Sequence, residues 1–213
     1  MKTTLITLFF ALTTVAAMSQ KEAYYQAMGE NLGKYASCRS IDDFRDLGNA
    51  FSRIAETEKN EWLPAYYHAH CYIIMSFMEQ TDPKKKDAYL DVAEQSINRL
   101  TEMAPGEADV AALQAMFYSA RLVVNPMERG QQYGMLSGQA TGKAMGIDPA
   151  NPRARLIKLQ NDMGTAQFYG KDVSVYCEQA RALVSTWDNF KPASPLHPNW
   201  GKDQAEGIVK TCK

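Results

Sequence analysis

Three neighbouring residues, His68, His70 and Cys71, are of the types that bind metal ions. If this segment is helical, residues two apart point about 200° away from each other, so only His68 and Cys71 could share a face. A zinc site needs three or four ligands, and the remaining histidine, His197, is far away in the sequence. We therefore predict no metal site here.

The segment from Gly138 to Lys143 has some features of a phosphate-binding loop. Its spacing is one residue shorter than the motif, and Ala144 lies where a Ser or Thr would bind magnesium. The strings HExxH, GxSxG and GxGxxG do not occur in the sequence. We predict no catalytic residue, no enzyme activity and no cofactor, although an active site assembled from scattered residues would leave no such motif.

The composition is that of one globular domain. The chain has 213 residues, of which 46% are hydrophobic, and 23 Lys and Arg against 24 Asp and Glu give a net charge of -1. Nucleic-acid affinity depends largely on clustered basic residues that neutralise phosphates, and no long basic run is present. We predict no nucleic-acid partner.

Residues 1–19 have the features of a secretory signal peptide. Lys2 is followed by an uncharged, mostly apolar run from Leu5 to Ala17, which is too short to span a bilayer comfortably, and small residues precede a cleavage site before Gln20. No Cys lies near that site, which argues against a lipid anchor. We expect a periplasmic or secreted protein, with residues 20–213 forming a single domain and no stable membrane insertion after cleavage.

The mature chain keeps four cysteines, which allow two disulfides in an oxidising compartment. The shortest loops are closed by pairing Cys177 with Cys212 and Cys38 with Cys71. Buried free thiols are the alternative for either pair. We expect a bridge between Cys177 and Cys212 because the Pro-rich segment between them must fold back for Trp200 to cover the end of the domain.

Apolar residues recur at steps of three and four throughout the mature chain, which predicts an all-α fold. Helix starts are marked by Asp82-Pro83, Asn125-Pro126 and Asn151-Pro152, and Ser40 with Asp43 forms a weaker capping box. The Pro-rich segment from Asn189 to Trp200 cannot be helical and should be extended. The predicted helices lie near residues 21–36, 41–57, 61–80, 84–103, 107–124, 127–146, 152–168 and 173–188.

The helices also show internal similarity. An offset of 44 residues places Pro105 on Pro149 and Tyr89 on Tyr133, and the stretch 144–154 is similar to the junction of two tetratricopeptide repeats. The chain therefore resembles the tetratricopeptide repeat family, although its repeat spacing is longer than that family's unit. Its C-terminal part resembles that of exported tetratricopeptide-like proteins common in Bacteroidota. The resemblance implies antiparallel helical hairpins stacked as a solenoid, followed by the extended Pro-rich segment.

A solenoid of this kind exposes a long surface that suits protein or peptide partners. Our leading functional hypothesis is therefore a non-enzymatic interaction module of the cell envelope. Aromatic and guanidinium groups are enriched at interface hot spots, and the candidates here are Tyr118, Arg121, Arg129, Tyr133 and Arg153. The alternative for these residues is core packing for the tyrosines and solvation for the arginines.

Two other classes of function stay open. One is binding of a small molecule or glycan in a pocket lined by Tyr66, Tyr67 and Tyr72. The other is a hydrolase in which His68 or His197 meets carboxylates in one cleft.

Five glycines recur every four residues along one predicted helix. Each costs about 0.5 to 1 kcal/mol relative to Ala, so tertiary contacts should compensate. We expect close packing of a neighbouring helix on this stripe, with contact to a ligand as the alternative. The glycines are Gly130, Gly134, Gly138, Gly142 and Gly146.

Overall fold

The computed structural model describes residues 20–212, which contain helices and no strand. The predicted signal peptide lies outside these residues. No helix between residues 20 and 212 is long and apolar enough to cross a membrane. The helices are residues 20–35 (α1), Ile41–Thr57 (α2), Leu63–Met78 (α3), Pro83–Met103 (α4), Ala108–Val124 (α5), Pro126–Ile147 (α6), Pro152–Phe168 (α7), Cys177–Thr186 (α8) and Lys202–Thr211 (α9).

The predicted helix starts are confirmed. Asp82, Asn125 and Asn151 are the N-cap residues of α4, α6 and α7, and each side chain accepts a hydrogen bond from the first turn. A proline follows each cap at a position where no N–H donor is needed. The capping box is also present, since Ser40 Oγ accepts from the Asp43 N–H at 3.1 Å and the Asp43 carboxylate accepts from the Ser40 N–H at 2.9 Å.

The helices stack as antiparallel hairpins, as predicted. The inner layer consists of α3, α5 and α7, because α3 contacts α5 and α5 contacts α7. The outer helices α2, α4 and α6 pack against this layer. Helices α3 and α5 are buried on most of their faces, whereas α4 buries only one stripe, as expected for a helix with one side in solvent.

Two hydrophobic clusters hold the described residues together. The main cluster runs from α1 to the start of α7 and includes Phe51, Tyr66 and Phe117. The second cluster joins α7, α8 and α9 and is much smaller. It consists of Leu156, Leu159, Ala180, Leu183, Trp187 and Ala205.

The C-terminal segment corrects two expectations. Residues 190–200 are non-helical, as predicted, but Asn189, which was expected to belong to the same segment, ends a short 3-10 helix, and the segment is followed by α9, which was not predicted. Trp200 does not cover the end of the stack. Its indole N–H donates to the Tyr66 hydroxyl at 3.0 Å and its ring stacks on His70 at 4.7 Å, so it packs against the N-terminal half of α3 and touches both clusters.

The predicted bridge between Cys177 and Cys212 is confirmed, with 5.7 Å between the Cα atoms. The second candidate pair is not bridged, since Cys38 and Cys71 are free thiols. Cys71 is completely buried in the main cluster, and burial raises the pKa of its thiol well above the usual value. Cys38 instead donates through Sγ to the Lys34 carbonyl oxygen at 3.5 Å. Both residues behave as small hydrophobic side chains.

Candidate ligand-binding groove

A groove of about 440 Å³ opens on the inner layer. This volume lies within the range of about 300 to 1,000 Å³ that is typical of small-molecule sites. Its walls come from α3, α5 and α7, and α9 closes one side. The lining residues are Ile74, Phe77, Met116, Ser119, Val123, Ile157, Gln160, Asn161 and Gln204.

Helical spacing places these side chains on one surface. Met116, Ser119 and Val123 follow one another at steps of three and four on α5, and Ile157 lies four residues before Asn161 on α7. The apolar part of the groove is open to solvent at Val123 and Phe77, which are 44% and 36% exposed. Adjoining exposed apolar side chains at a groove are typical of a ligand or partner site.

A polar cluster adjoins the apolar lining of the groove, between α5, α6 and α7. Ser119 Oγ donates to Asn161 Oδ1 at 2.8 Å, and Asn161 Nδ2 donates to Ser137 Oγ at 2.8 Å. Ser137 Oγ donates in turn to the Ala115 carbonyl oxygen at 2.9 Å. These bonds fix the Asn161 carboxamide at the edge of the apolar surface.

The lining contains no His, Cys, Asp, Glu, Lys or Arg. Met116 provides its only sulfur atom. Over the described residues no group of three His, Cys, Asp or Glu side chains is arranged to hold a metal ion. The groove therefore offers apolar contact and neutral hydrogen-bonding groups.

None of the lining residues was predicted from the sequence. Ser119 and Asn161 each interrupt an apolar stripe on a helix, and this interruption is the one signal that the sequence carries. It does not reveal that the two residues face each other, because they are 42 positions apart.

The three histidines are distributed among separate contacts. His68 Nδ1 hydrogen-bonds Ser96 Oγ at 2.7 Å, and burial lowers its pKa. His197 Nδ1 bonds Ser194 Oγ at 2.8 Å, and its ring packs edge-on against Trp62. These contacts do not bring His68 and His197 together with carboxylates.

His70 is a core residue. Its Nδ1 and the Tyr35 hydroxyl are 2.5 Å apart, while its Nε2 is buried without a hydrogen-bond partner. Burial, followed by the charge of Arg153, lowers the pKa of His70 to about 3. The imidazole is therefore neutral at physiological pH and stacks on Trp200 as an aromatic ring.

The tyrosine pocket proposed for a small molecule or glycan is not formed. Tyr66 and Tyr67 are buried, because the C-terminal segment occupies the space beside them. Tyr66 accepts from Trp200, and the Tyr67 hydroxyl donates to the Leu196 carbonyl oxygen at 2.9 Å. The prediction that Tyr66 and Tyr67 line a pocket is therefore wrong. Tyr72 is half-buried, its hydroxyl donates to Asn49 Oδ1 at 3.4 Å, and it is not among the lining residues of the groove, which lies elsewhere on the inner layer.

Two of the proposed interaction residues form an ion-pair cluster on α4, α5 and α6. Arg121 donates to Asp87 at 2.9 Å, to Asp91 at 2.6 Å and to Glu94 at 2.9 Å, and Arg129 donates to Asp87 at 2.7 Å. Arg129, with Arg121 beside it, lowers the pKa of Asp87. Arg121 is therefore neither a solvated surface charge nor free to contact a partner, so both interpretations of this residue from the sequence are wrong.

The remaining three candidates lie in two places. Tyr118 and Tyr133 are half-buried with ring centres 6.2 Å apart, next to the ion-pair cluster. Arg153 is only 1% exposed, pairs with Asp109 at 2.6 and 2.9 Å, and lies over the Phe190 ring at 5.0 Å. Arg153 is thus an internal residue, and the prediction that it contacts a partner is wrong.

The glycine stripe lies on α6, as predicted, but the expected close packing is absent at four of its five positions. A Cβ atom at Gly134 would lie 3.6 Å from Leu122 Cδ1. The other four positions have nothing within 4 Å, and three of these are exposed: Gly138, Gly142 and Gly146. Contact of this stripe with a ligand stays a prediction.

Comparison with known proteins gives one informative match. A scan of protein-family models and a search of curated proteins found no match. Among solved structures, the HusA haemophore from Porphyromonas gingivalis is 31% identical, with a TM-score of 0.77. The match covers 89% of this chain and 92% of that one. At this identity and coverage, this chain belongs to the family of the HusA haemophore.

Proposed function

We propose that this protein binds haem in the groove and acts as a haemophore after export to the periplasm or the medium. The similarity to HusA over nearly the whole chain carries this proposal. The groove supports it, because its apolar walls suit a flat macrocycle and its exposed side admits one. This function corresponds to the small-molecule alternative rather than to the leading hypothesis from the sequence.

The lining suggests how haem is held. Because the lining contains no His, Cys or Tyr, we expect the groove to bind the macrocycle mainly through apolar contacts rather than through the iron. Metal-free porphyrin should then bind with a Kd within a few-fold of that of haem. Met116→Leu should leave the visible spectrum of the haem complex unchanged.

A matched pair of variants tests the location. Val123 and Val175 are both exposed valines, but only Val123 lines the groove. Val123→Asp places a charge against the macrocycle and should raise the Kd for haem by about tenfold or more, whereas Val175→Asp should leave it unchanged. Absorption titration of the mature protein measures both. Absence of haem binding by the unmodified protein would contradict the function, and equal effects of the two variants would contradict the site.

A protein partner is a second candidate function. Phe168 and Tyr169 at the end of α7 are 56% and 69% exposed, with ring centres 5.3 Å apart. Exposed aromatic pairs of this kind are enriched at interfaces. Pull-down from envelope extract with the unmodified chain and with a Phe168→Ser, Tyr169→Ser variant tests this candidate, which predicts a protein captured by the first and not by the second.

A further inference from the structure

The polar side of the groove contains three carboxamides. Gln160 and Gln204 are exposed at the rim, on α7 and α9, whereas Asn161 lies deeper, beside Ser119. The two glutamines have no side-chain hydrogen bond to another described residue that would fix their orientation. Asn161 differs from them because two serine hydroxyls hold its amide group.

The bonds to Asn161 leave part of its hydrogen-bonding capacity unused. A carboxamide offers two N–H donors and two acceptor lone pairs. Ser137 takes one donor and Ser119 takes one lone pair, so one N–H and one lone pair of this lining residue stay unused. The serines hold the group in place, and the remaining N–H is thus oriented before a ligand arrives.

The groove must accommodate a ligand with two kinds of surface. Haem and related porphyrins combine an apolar ring with carboxylates at one edge. The lining provides no Lys or Arg to pair with a carboxylate, and the Ser119 hydroxyl already donates to Asn161, so the available donors are the side-chain amide N–H groups. Asn161 is the one amide donor in the lining that is both fixed and next to the apolar surface.

We infer that Asn161 is a specificity-determining residue that donates a hydrogen bond to a carboxylate of the bound porphyrin. The inference rests on the proposed function. It predicts that the groove distinguishes porphyrins by their carboxylates, and that removal of this donor abolishes the distinction.

The test combines two ligands with one substitution. The ligands are metal-free mesoporphyrin and its dimethyl ester, which differ in their carboxylates and share the ring. Asn161→Asp keeps the shape of the side chain, removes the donor and adds a like charge. At pH 8, we expect Asn161→Asp to weaken binding of the diacid by about tenfold or more, and to change binding of the ester by less than twofold.

Controls separate a direct contact from a structural role. Asn161→Leu should again weaken only the diacid, and Asn98→Leu, an exposed asparagine on α4, should change neither ligand. Equal loss for diacid and ester, or no loss for either, overturns the inference while the proposed function stands. Failure of the unmodified protein to bind either porphyrin overturns the proposed function itself.

Discussion

The main cluster and the second cluster stabilise their parts of the molecule in different ways. Around the main cluster, α3 and α5 are enclosed by neighbouring helices, and large side chains such as Phe51 and Phe117 are completely buried. The second cluster has few buried side chains, among which Trp187 is the largest, and it relies in addition on the bridge between Cys177 and Cys212. A small core of this kind needs a covalent link where a large core does not.

The groove lies across the boundary between these two regions. Ile74 and Met116 come from helices of the main cluster, whereas Gln204 comes from α9, which the second cluster and the disulfide hold in place. The binding site thus depends on both regions. Substitutions that weaken the contact between the two regions should therefore lower ligand affinity as well as stability.

The largest effect is expected at the ion pair that joins α5 to α7. Arg153→Ala leaves the nearly buried Asp109 carboxylate without its charged partner, with only the Asn151 amide still donating to it, and should lower the free energy of unfolding by about 3 to 5 kcal/mol. Urea unfolding followed by circular dichroism measures the loss. Arg155→Ala, on the same helix, removes only a bond to Thr186 and should cost less than about 1 kcal/mol.

A double variant shows whether the loss in Arg153→Ala comes from the unpaired Asp109 charge or from the ion pair itself. Replacing both partners, Arg153→Met with Asp109→Leu, should recover part of the stability lost in Arg153→Ala, because no unpaired charge is left in the interior, while the buried Asn151 amide loses its acceptor. Similar losses in Arg153→Ala and Arg155→Ala would refute the assignment of this pair as the junction.

The disulfide should have the next largest effect. Cys177→Ser with Cys212→Ser opens a loop of sequence separation 35 and should lower the free energy of unfolding by about 2 to 4 kcal/mol. The loss should be concentrated in the second cluster, so amide exchange should accelerate in α8 and α9 and change little in α3 and α5. Cys38→Ser, which removes a free thiol, serves as the control. Uniform acceleration across all helices would contradict the division into two regions.

Local features of this chain were predictable because their physical causes lie within a few residues. The caps at Asp82, Asn125 and Asn151 combine a side-chain acceptor with a following proline, and each starts a helix as predicted. The disulfide was also predicted correctly, although the reason given for it was wrong in part, because the Pro-rich segment folds back with Trp200 against α3 and not over the end of the stack. Helix α9 was missed because it is short: its apolar side consists of Ala205, Ile208 and Val209 and spans little more than one turn.

The groove and the buried charges could not be predicted because they depend on partners in distant helices. Arg153 looked like a surface residue since its partner Asp109 is 44 positions away, the same offset that relates Pro105 to Pro149. The repeat offset was visible in the sequence, but it did not indicate which side chains of successive hairpins meet. The lining of the groove could not be predicted for the same reason, since it combines residues from four helices.

The smallest changes in the free energy of unfolding are expected from glycine substitutions, one in each region. Gly138, on α6 beside the main cluster, is helical and exposed with nothing within 4 Å, so Gly138→Ala should raise the free energy of unfolding by about 0.5 to 1 kcal/mol. Gly201, at the start of α9, has φ +109°, and a Cβ there would lie 2.8 Å from the Trp187 ring and 3.0 Å from Leu156. Gly201→Ala should therefore lower stability by more than about 1 kcal/mol and loosen the wall that carries Gln204. Thermal unfolding compares the two variants directly. A stabilised Gly201→Ala would mean that the second cluster is less tightly packed than the contacts of Trp187 indicate.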